Sequence, residues 1–326
     1  MSTILSEKIT HPAAWHANDL QQDPSWIYQL SNADRAELDS ALSTCTKRQL
    51  KPGSIQAADF PVPTLAPVLA KHAASLESDK GVFLLRGLAV HNYSEAELDI
   101  LYFAIGQQLG TPVCQNPQGD LIGRVTNVGD QHKKETRVYE TNAHLPYHTD
   151  LSDVFGLLCV RTAKVGGLTS LVSSSALYNR LLDEHPQYLE FFYRPMYYAH
   201  LGHDTPRSPI FSFHQGKLSC RYLRQYIELG HELHGQTLSS IEIQALDAFD
   251  RISQDPALRF DLMLEPGDML FANNYTVMHS RTRFEDHDDP ARRRKLLRLW
   301  LKMSNARSLA ADFPGKNGFP APDKEK

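Results

Sequence analysis

The stretch VFGLLCVRTAKVGGLTSLVS, residues 154–173, places two short apolar runs on either side of a glycine pair. Residues 154–161 and 169–173 have the length and β-branched content of strands, and Gly166-Gly167 supplies a turn signal between them. The pattern returns near the C-terminus. LeuMetLeu at 262–264, the turn Glu265-Pro266-Gly267-Asp268, MetLeuPheAla at 269–272 and LysLeuLeuArgLeuTrpLeuLys at 295–302 read as short strands joined by turns. Upstream, GlyValPheLeuLeuArgGly at 81–87 is a glycine-bounded buried strand. Helical signals dominate the first hundred residues: 30–47, with Asn32 as cap, and 63–109, where Ser94 and Glu97 form a capping box. Two later helices are expected, from Ser174 to about Tyr193, with Ser174 or Ser175 as cap, and over about 239–252. Helices first and strands later predict an α+β chain built on a predominantly antiparallel sandwich or barrel.

The bulk composition bounds the rest. With 326 residues, 41% of them apolar and 22% charged, the chain can bury a full core, and no repeat or composition shift asks for a second domain. A single domain over 1–326 is expected, with a mainly helical part at 1–80, a strand-rich core at 81–303 and a tail at 304–326. Residues 111–147 are polar and glycine-punctuated, which predicts a long loop over or beside a site. A net charge of -4 and a pI near 6.4 disfavour a general nucleic-acid or anionic-membrane binder and point to a small-molecule partner. Cys45, Cys114, Cys159 and Cys220 are widely spaced and form no CxxC, as expected of a protein kept reduced in the cytoplasm. The N-terminal residues lack the pattern of a signal peptide, and no run has the apolar length of a membrane span. Oligomeric state is not legible.

PYHTDLS, residues 146–152, raises the chemical question. With 15 histidines and 38 acidic residues, chance alone supplies about two His-x-acid pairs, and the chain has two. His287-Asp288-Asp289 sits among charges and reads as a solvated turn. His148-Thr149-Asp150 differs in context: at a strand end, positions 148 and 150 project to one side. A third ligand has to come from another strand, and His279 follows the Pro266-Gly267-Asp268 turn in a segment suited to pair near the first. Two histidines and one carboxylate with open positions are the ligand set of non-haem Fe(II) oxygenases. On 295–302, Arg298 shares a face with Leu296 and Trp300, in register with Arg294, while Leu297, Leu299 and Leu301 fill the other face. An arginine on a buried strand keeps its charge and needs an anion, either a structural carboxylate or a bound dicarboxylate. A zinc hydrolase using the same three ligands, or a catalytically silent binding barrel, remains an alternative from these residues alone.

Taken together and in this order, PYHTDLSD, GGLTSLVSSSALYN, EPGDMLFANNYTVMHSRTRFED and RRRKLLRLWL resemble the taurine dioxygenase (TauD/TfdA) family and its clavaminate-synthase-like branch over roughly 81–303. The resemblance implies a double-stranded β-helix, a cupin-like jelly-roll barrel flanked by helices, and an Fe(II)- and 2-oxoglutarate-dependent dioxygenase that uses O2. It further implies that His148, Asp150 and His279 are the iron ligands, and that Thr169 and Arg294 hold the distal carboxylate of 2-oxoglutarate. Arg298 falls where the family contacts the cosubstrate's other end or an acidic group of the substrate. The charged GluAspHisAspAspPro segment makes the His279-to-Arg294 spacing slightly longer than in taurine dioxygenase. Asp150 itself disfavours the related halogenases, which carry a small residue there. The branch resembled leans toward an amino acid or a related acidic or zwitterionic substrate and toward hydroxylation. Asn127, Tyr139, Arg224 and Asn274 are candidate substrate contacts, with Arg124, Arg221 and Asn273 as weaker ones; His144 is left out because Pro146 breaks its strand.

Overall fold

The two runs of residues 154–173, adjacent in sequence, lie in different sheets. The computed structural model describes residues 4–127, 141–200, 203–315 and 317–321. In it the first sheet runs in the order Ile27–Gln29, Val82–Arg86, Met269–Asn273, Val154–Arg161, Lys295–Lys302 and Thr111–Pro112, and Ile122–Thr126 also pairs with Lys295–Lys302. The second runs Phe260–Leu262, Thr169–Ser173, Val277–Arg281 and Leu145–His148. Pairing within both is antiparallel except between Ile27–Gln29 and Val82–Arg86. The Gly166-Gly167 turn therefore carries the chain from one layer to the other. Both glycines have positive φ, 76° and 77°, a conformation that side chains with a Cβ resist.

Strand alternation sorts the side chains between three apolar regions. Leu297, Leu299 and Leu301 face the helices Asn32–Lys47, Leu65–Ser78 and Glu95–Leu109, while Leu296 and Trp300 face the space between the sheets. Val154–Arg161 divides in the same way: Val154, Leu158 and Val160 point to the helices, and Phe155, Leu157 and Cys159 point inward. Each such fully buried leucine or valine contributes about 1.5–3 kcal/mol. Gly156 interrupts the run because a Cβ there would lie 2.7 Å from the Phe271 ring and 2.8 Å from the Tyr102 hydroxyl. On the outside of the second sheet, Tyr147, Val172 and Met278 join a third cluster with residues of the helices Ser174–Glu184 and Ser240–Ser253.

Several boundaries differ from expectation for identifiable reasons. Ser31, not Asn32, caps Asn32–Lys47, because its Oγ accepts from the Asp34 N–H while Asp34 accepts from the Ser31 N–H. Ser173, not Ser174 or Ser175, caps the helix Ser174–Glu184. That helix stops at Glu184 rather than reaching Tyr193, since Pro186 follows and a separate short helix takes Leu189–Tyr193. Residues 111–147 are not one long loop: Thr111–Pro112, Ile122–Thr126 and Leu145–His148 are strands. Within residues 304–315, Ala310 and Phe313 pack against Tyr275. Among the described residues, no helix is long and apolar enough to cross a membrane.

Candidate active site

His148 closes the strand Leu145–His148, and His279 sits directly opposite it on Val277–Arg281. Their rings lie 4.1 Å apart, and Phe155 stacks on His279 at 3.9 Å, reaching across from the other sheet. Asp150 lies just past the strand end, so its side is set not by strand alternation but by a loop held from two directions. Asn274 Oδ1 accepts the Asp150 N–H at 2.9 Å, and the Thr149 N–H donates to the Tyr222 carbonyl, also at 2.9 Å. One ligand atom from each of His148, Asp150 and His279 falls within 4.8 Å of the others.

The protonation states suit a cation. Burial holds both imidazoles below their ordinary pKa, most strongly His279, which His148 also faces. Burial opposes ionisation of Asp150, but the neighbouring Arg298 guanidinium, foremost, keeps the carboxyl below its usual range. His148 Nδ1 donates to the Pro146 carbonyl at 2.8 Å, since a carbonyl only accepts, which leaves Nε2 with its lone pair. Asp150 Oδ2 is buried without a hydrogen-bond partner. An orphaned carboxylate oxygen beside two neutral imidazoles is the donor set that a divalent iron takes, with further positions open.

A second group of residues surrounds Arg294. Thr169, Gly166, Gly167, Cys159, Leu264 and Leu296 line one narrow cavity with it. Arg294 is 5% exposed and lies 5.1 Å over the Phe284 ring, and its Nη1 has no partner. Burial pushes its pKa down to about 10. Gly167 lets the side chain pass, because a Cβ there would meet Arg294 Nε at 3.2 Å. A buried, unpaired guanidinium beside a threonine suits a carboxylate that arrives with a ligand.

A family model, the taurine catabolism dioxygenase TauD, TfdA family, matches residues 46–300. The chain belongs to the TauD/TfdA family. It is accordingly an Fe(II)- and 2-oxoglutarate-dependent dioxygenase. Among curated relatives, FR-33289 synthase of Streptomyces rubellomurinus (strain ATCC 31215) is 31% identical, covering 95% of this chain and 94% of its own. A uridine-5'-phosphate dioxygenase of a Streptomyces species is 28% identical over 64% of this chain and 78% of its own. Asparagine oxygenase solved with Fe(II), 2S,3S-3-hydroxyasparagine and succinate has the same fold, with a TM-score of 0.68, 16% identity, and coverage of 85% and 93%. OrfP with iron and alpha-ketoglutaric acid gives a TM-score of 0.64 at 15% identity, covering 85% of this chain and 94% of that one. These neighbours make the barrel the double-stranded β-helix of TauD-like oxygenases.

Within this TauD-family barrel, the remaining expected residues separate. Arg298 comes to the triad: its Nη1 is 3.5 Å from Asp150 Oδ1 and its guanidinium lies over Trp300 at 4.9 Å. Gln115 fixes it, accepting from Arg298 Nε at 2.8 Å and donating to the Arg298 carbonyl at 2.7 Å. Gln115 was not foreseen, and a glutamine in a polar stretch carries no signal that could have marked it. Asn274 comes to the site in another capacity, bracing the Asp150 loop through Ser152 as well as through the Asp150 N–H. Arg224, expected among the substrate contacts, has carboxylate partners of its own. Its guanidinium is taken by Glu228, Asp247 and Asp250, each at 2.7 Å. Arg124 is paired with Asp99 and exposed, and Asn273 ends the strand Met269–Asn273 with its amide donating to the Leu76 carbonyl and to Glu77. Asn127 is half-buried just past the Ile122–Thr126 strand, and Tyr139 lies outside the described residues.

Proposed function

We propose that His148, Asp150 and His279 hold the iron, that Thr169 and Arg294 hold the distal carboxylate of 2-oxoglutarate, and that the enzyme hydroxylates an unactivated C–H bond of an amino acid or related acidic or zwitterionic metabolite. The observation that carries this reading is the His148–His279 register, which brings three donor atoms within 4.8 Å in a buried site. When bound, iron, 2-oxoglutarate and O2 supply the oxidant, with the cosubstrate leaving as succinate and CO2. The chain's own residues prepare the place for it. Pro146 fixes the His148 tautomer, Asn274 fixes the Asp150 loop, and Phe155 packs on His279. Arg298, held by Gln115, is assigned to the cosubstrate's other end. The solved neighbours include complexes with 3-hydroxyasparagine and (3S)-hydroxy-L-Arg, which favours hydroxylation of an amino-acid-like substrate. A zinc hydrolase would leave Arg294 Nη1 with no anion to meet.

Arg294→Ala tests the assignment. Losing a charge-assisted contact worth about 1.5–3 kcal/mol should raise the 2-oxoglutarate half-saturation concentration roughly 10- to 100-fold. Bound iron should stay at the native level. Unchanged cosubstrate saturation would remove Arg294 from the site.

A further inference from the structure

Five arginines are buried among the described residues: Arg221, Arg281, Arg294, Arg298 and Arg307. Arg307 meets Glu77 at 3.1 Å, Arg298 meets Asp150, and Arg281 donates to the carbonyls of Thr141 and Ala143. Arg294 is assigned above to the cosubstrate. Arg221 is the remaining one, and among the described residues it has no carboxylate partner. Its guanidinium lies 4.2 Å over the Tyr198 ring, and Nη2 reaches only Thr205 Oγ1 at 3.4 Å. Among the described residues this is the guanidinium's one side-chain hydrogen bond. Burial lowers its pKa, and no carboxylate offsets the effect.

The position of this cation is fixed, and it adjoins the metal loop. The Arg221 N–H donates to the Ile210 carbonyl, and the Arg221 carbonyl accepts from the Tyr198 hydroxyl at 2.9 Å. The next residue, Tyr222, exchanges hydrogen bonds with Thr149, the middle residue of the His-x-Asp pair. Arg221 and Asp150 line the same narrow cavity, together with Tyr275 and, from the tail, Phe313, Pro314 and Gly315. A preorganised cation of this kind, stacked on an aromatic ring and lacking a counter-ion, is built for an oxyanion that comes with a ligand.

We propose that Arg221 is a specificity-determining residue that binds an oxyanionic group of the primary substrate in the cavity it lines with Asp150. The proposal rests on the functional reading above for why a substrate sits there. Its test uses protein loaded anaerobically with Fe(II) and saturating 2-oxoglutarate, titrated calorimetrically with methylphosphonate, acetate and, as an uncharged control, acetamide. At least one anion should bind the native protein and be weakened tenfold or more in Arg221→Gln, with Arg221→Lys between the two and acetamide unaffected. The order of methylphosphonate and acetate then identifies the oxyanion. Equal affinity in native and Arg221→Gln protein, or no anion binding to the native protein, would overturn the proposal. If Arg221→Gln does not fold by circular dichroism, Arg221→Lys decides, since it keeps the charge and loses the fork. Should the native protein fail to take up 2-oxoglutarate, the cosubstrate assignment of Thr169 and Arg294 falls, not the Arg221 proposal. The same titration on cosubstrate-free protein still judges Arg221.

Discussion

Asn274 shows how much of the site depends on a side chain that braces the Asp150 loop. Its amide bonds on both sides, accepting from the Asp150 N–H and donating to Ser152, so one side chain fixes the curvature of residues 150–152. Removing it frees the loop that aims the only carboxylate of the triad. Asn274→Ala should therefore weaken Fe(II) binding about 10- to 100-fold, the range for supporting contacts around metal ligands. Anaerobic titration against a metal indicator checks this, and native iron affinity in the variant would show that the loop holds its shape unaided. At this scale the sequence was most legible where chemistry is rare. Two histidines and an aspartate in ordered motifs, and arginines facing inward on an apolar strand, stand out because each would be costly without a role. Asn274 and Gln115 were harder to read because an amide is cheap on a surface, and only the fold shows them buried.

Among the elements, the inter-sheet connections matter most. The Glu265-Pro266-Gly267-Asp268 turn leads into Met269–Asn273, and Asp268, almost fully buried, accepts from Arg86 Nε at 2.9 Å and Nη2 at 2.8 Å. Its Oδ2 also accepts from the Glu265 N–H, so the same carboxylate closes the turn and ties it to Val82–Arg86. Asp268→Ala leaves a guanidinium without its counter-ion and the turn without its cap. Destabilisation of about 2–4 kcal/mol is expected, somewhat under the full cost for a buried pair because Arg86 keeps partial access to water. Urea unfolding followed by circular dichroism measures it, and a loss below about 1 kcal/mol would show that the pair is dispensable. Strand faces were readable where apolar alternation is strong, as in Lys295–Lys302. The Ile122–Thr126 strand was missed because IleGlyArgValThr is short and polar and owes its extended form to its partner rather than to its own residues. The same holds for the partners of Arg224: its three carboxylates lie on its own helix, Arg224–Leu233, and on Ser240–Ser253, a proximity only the packing creates.

The whole molecule carries a pH dependence set by buried histidines. His72, on the helix Leu65–Ser78, is 7% exposed and stacks on Phe83 with ring centroids 4.0 Å apart. Burial, with help from Lys71, lowers its folded-state pKa below the ordinary value. The unfolded chain therefore binds this proton more readily than the folded one. Its contribution to stability is full above about pH 6.5 and declines as pH falls below it. His148 and His279 act in the same direction in metal-free protein. Comparing native protein with His72→Phe isolates His72: the drop in melting temperature between about pH 7.5 and 5 should be smaller in the variant. Equal drops would assign the acid sensitivity elsewhere.

The central claim is that the triad and the Arg294 pocket form one Fe(II)/2-oxoglutarate centre. Its most direct measurement adds Fe(II) and then 2-oxoglutarate to metal-free protein without oxygen and follows the visible iron-to-oxoglutarate charge-transfer absorbance. The band should appear in the native protein, be absent in His148→Ala, and need far more cosubstrate in Arg294→Ala. Iron that binds with no band at saturating 2-oxoglutarate would contradict the account.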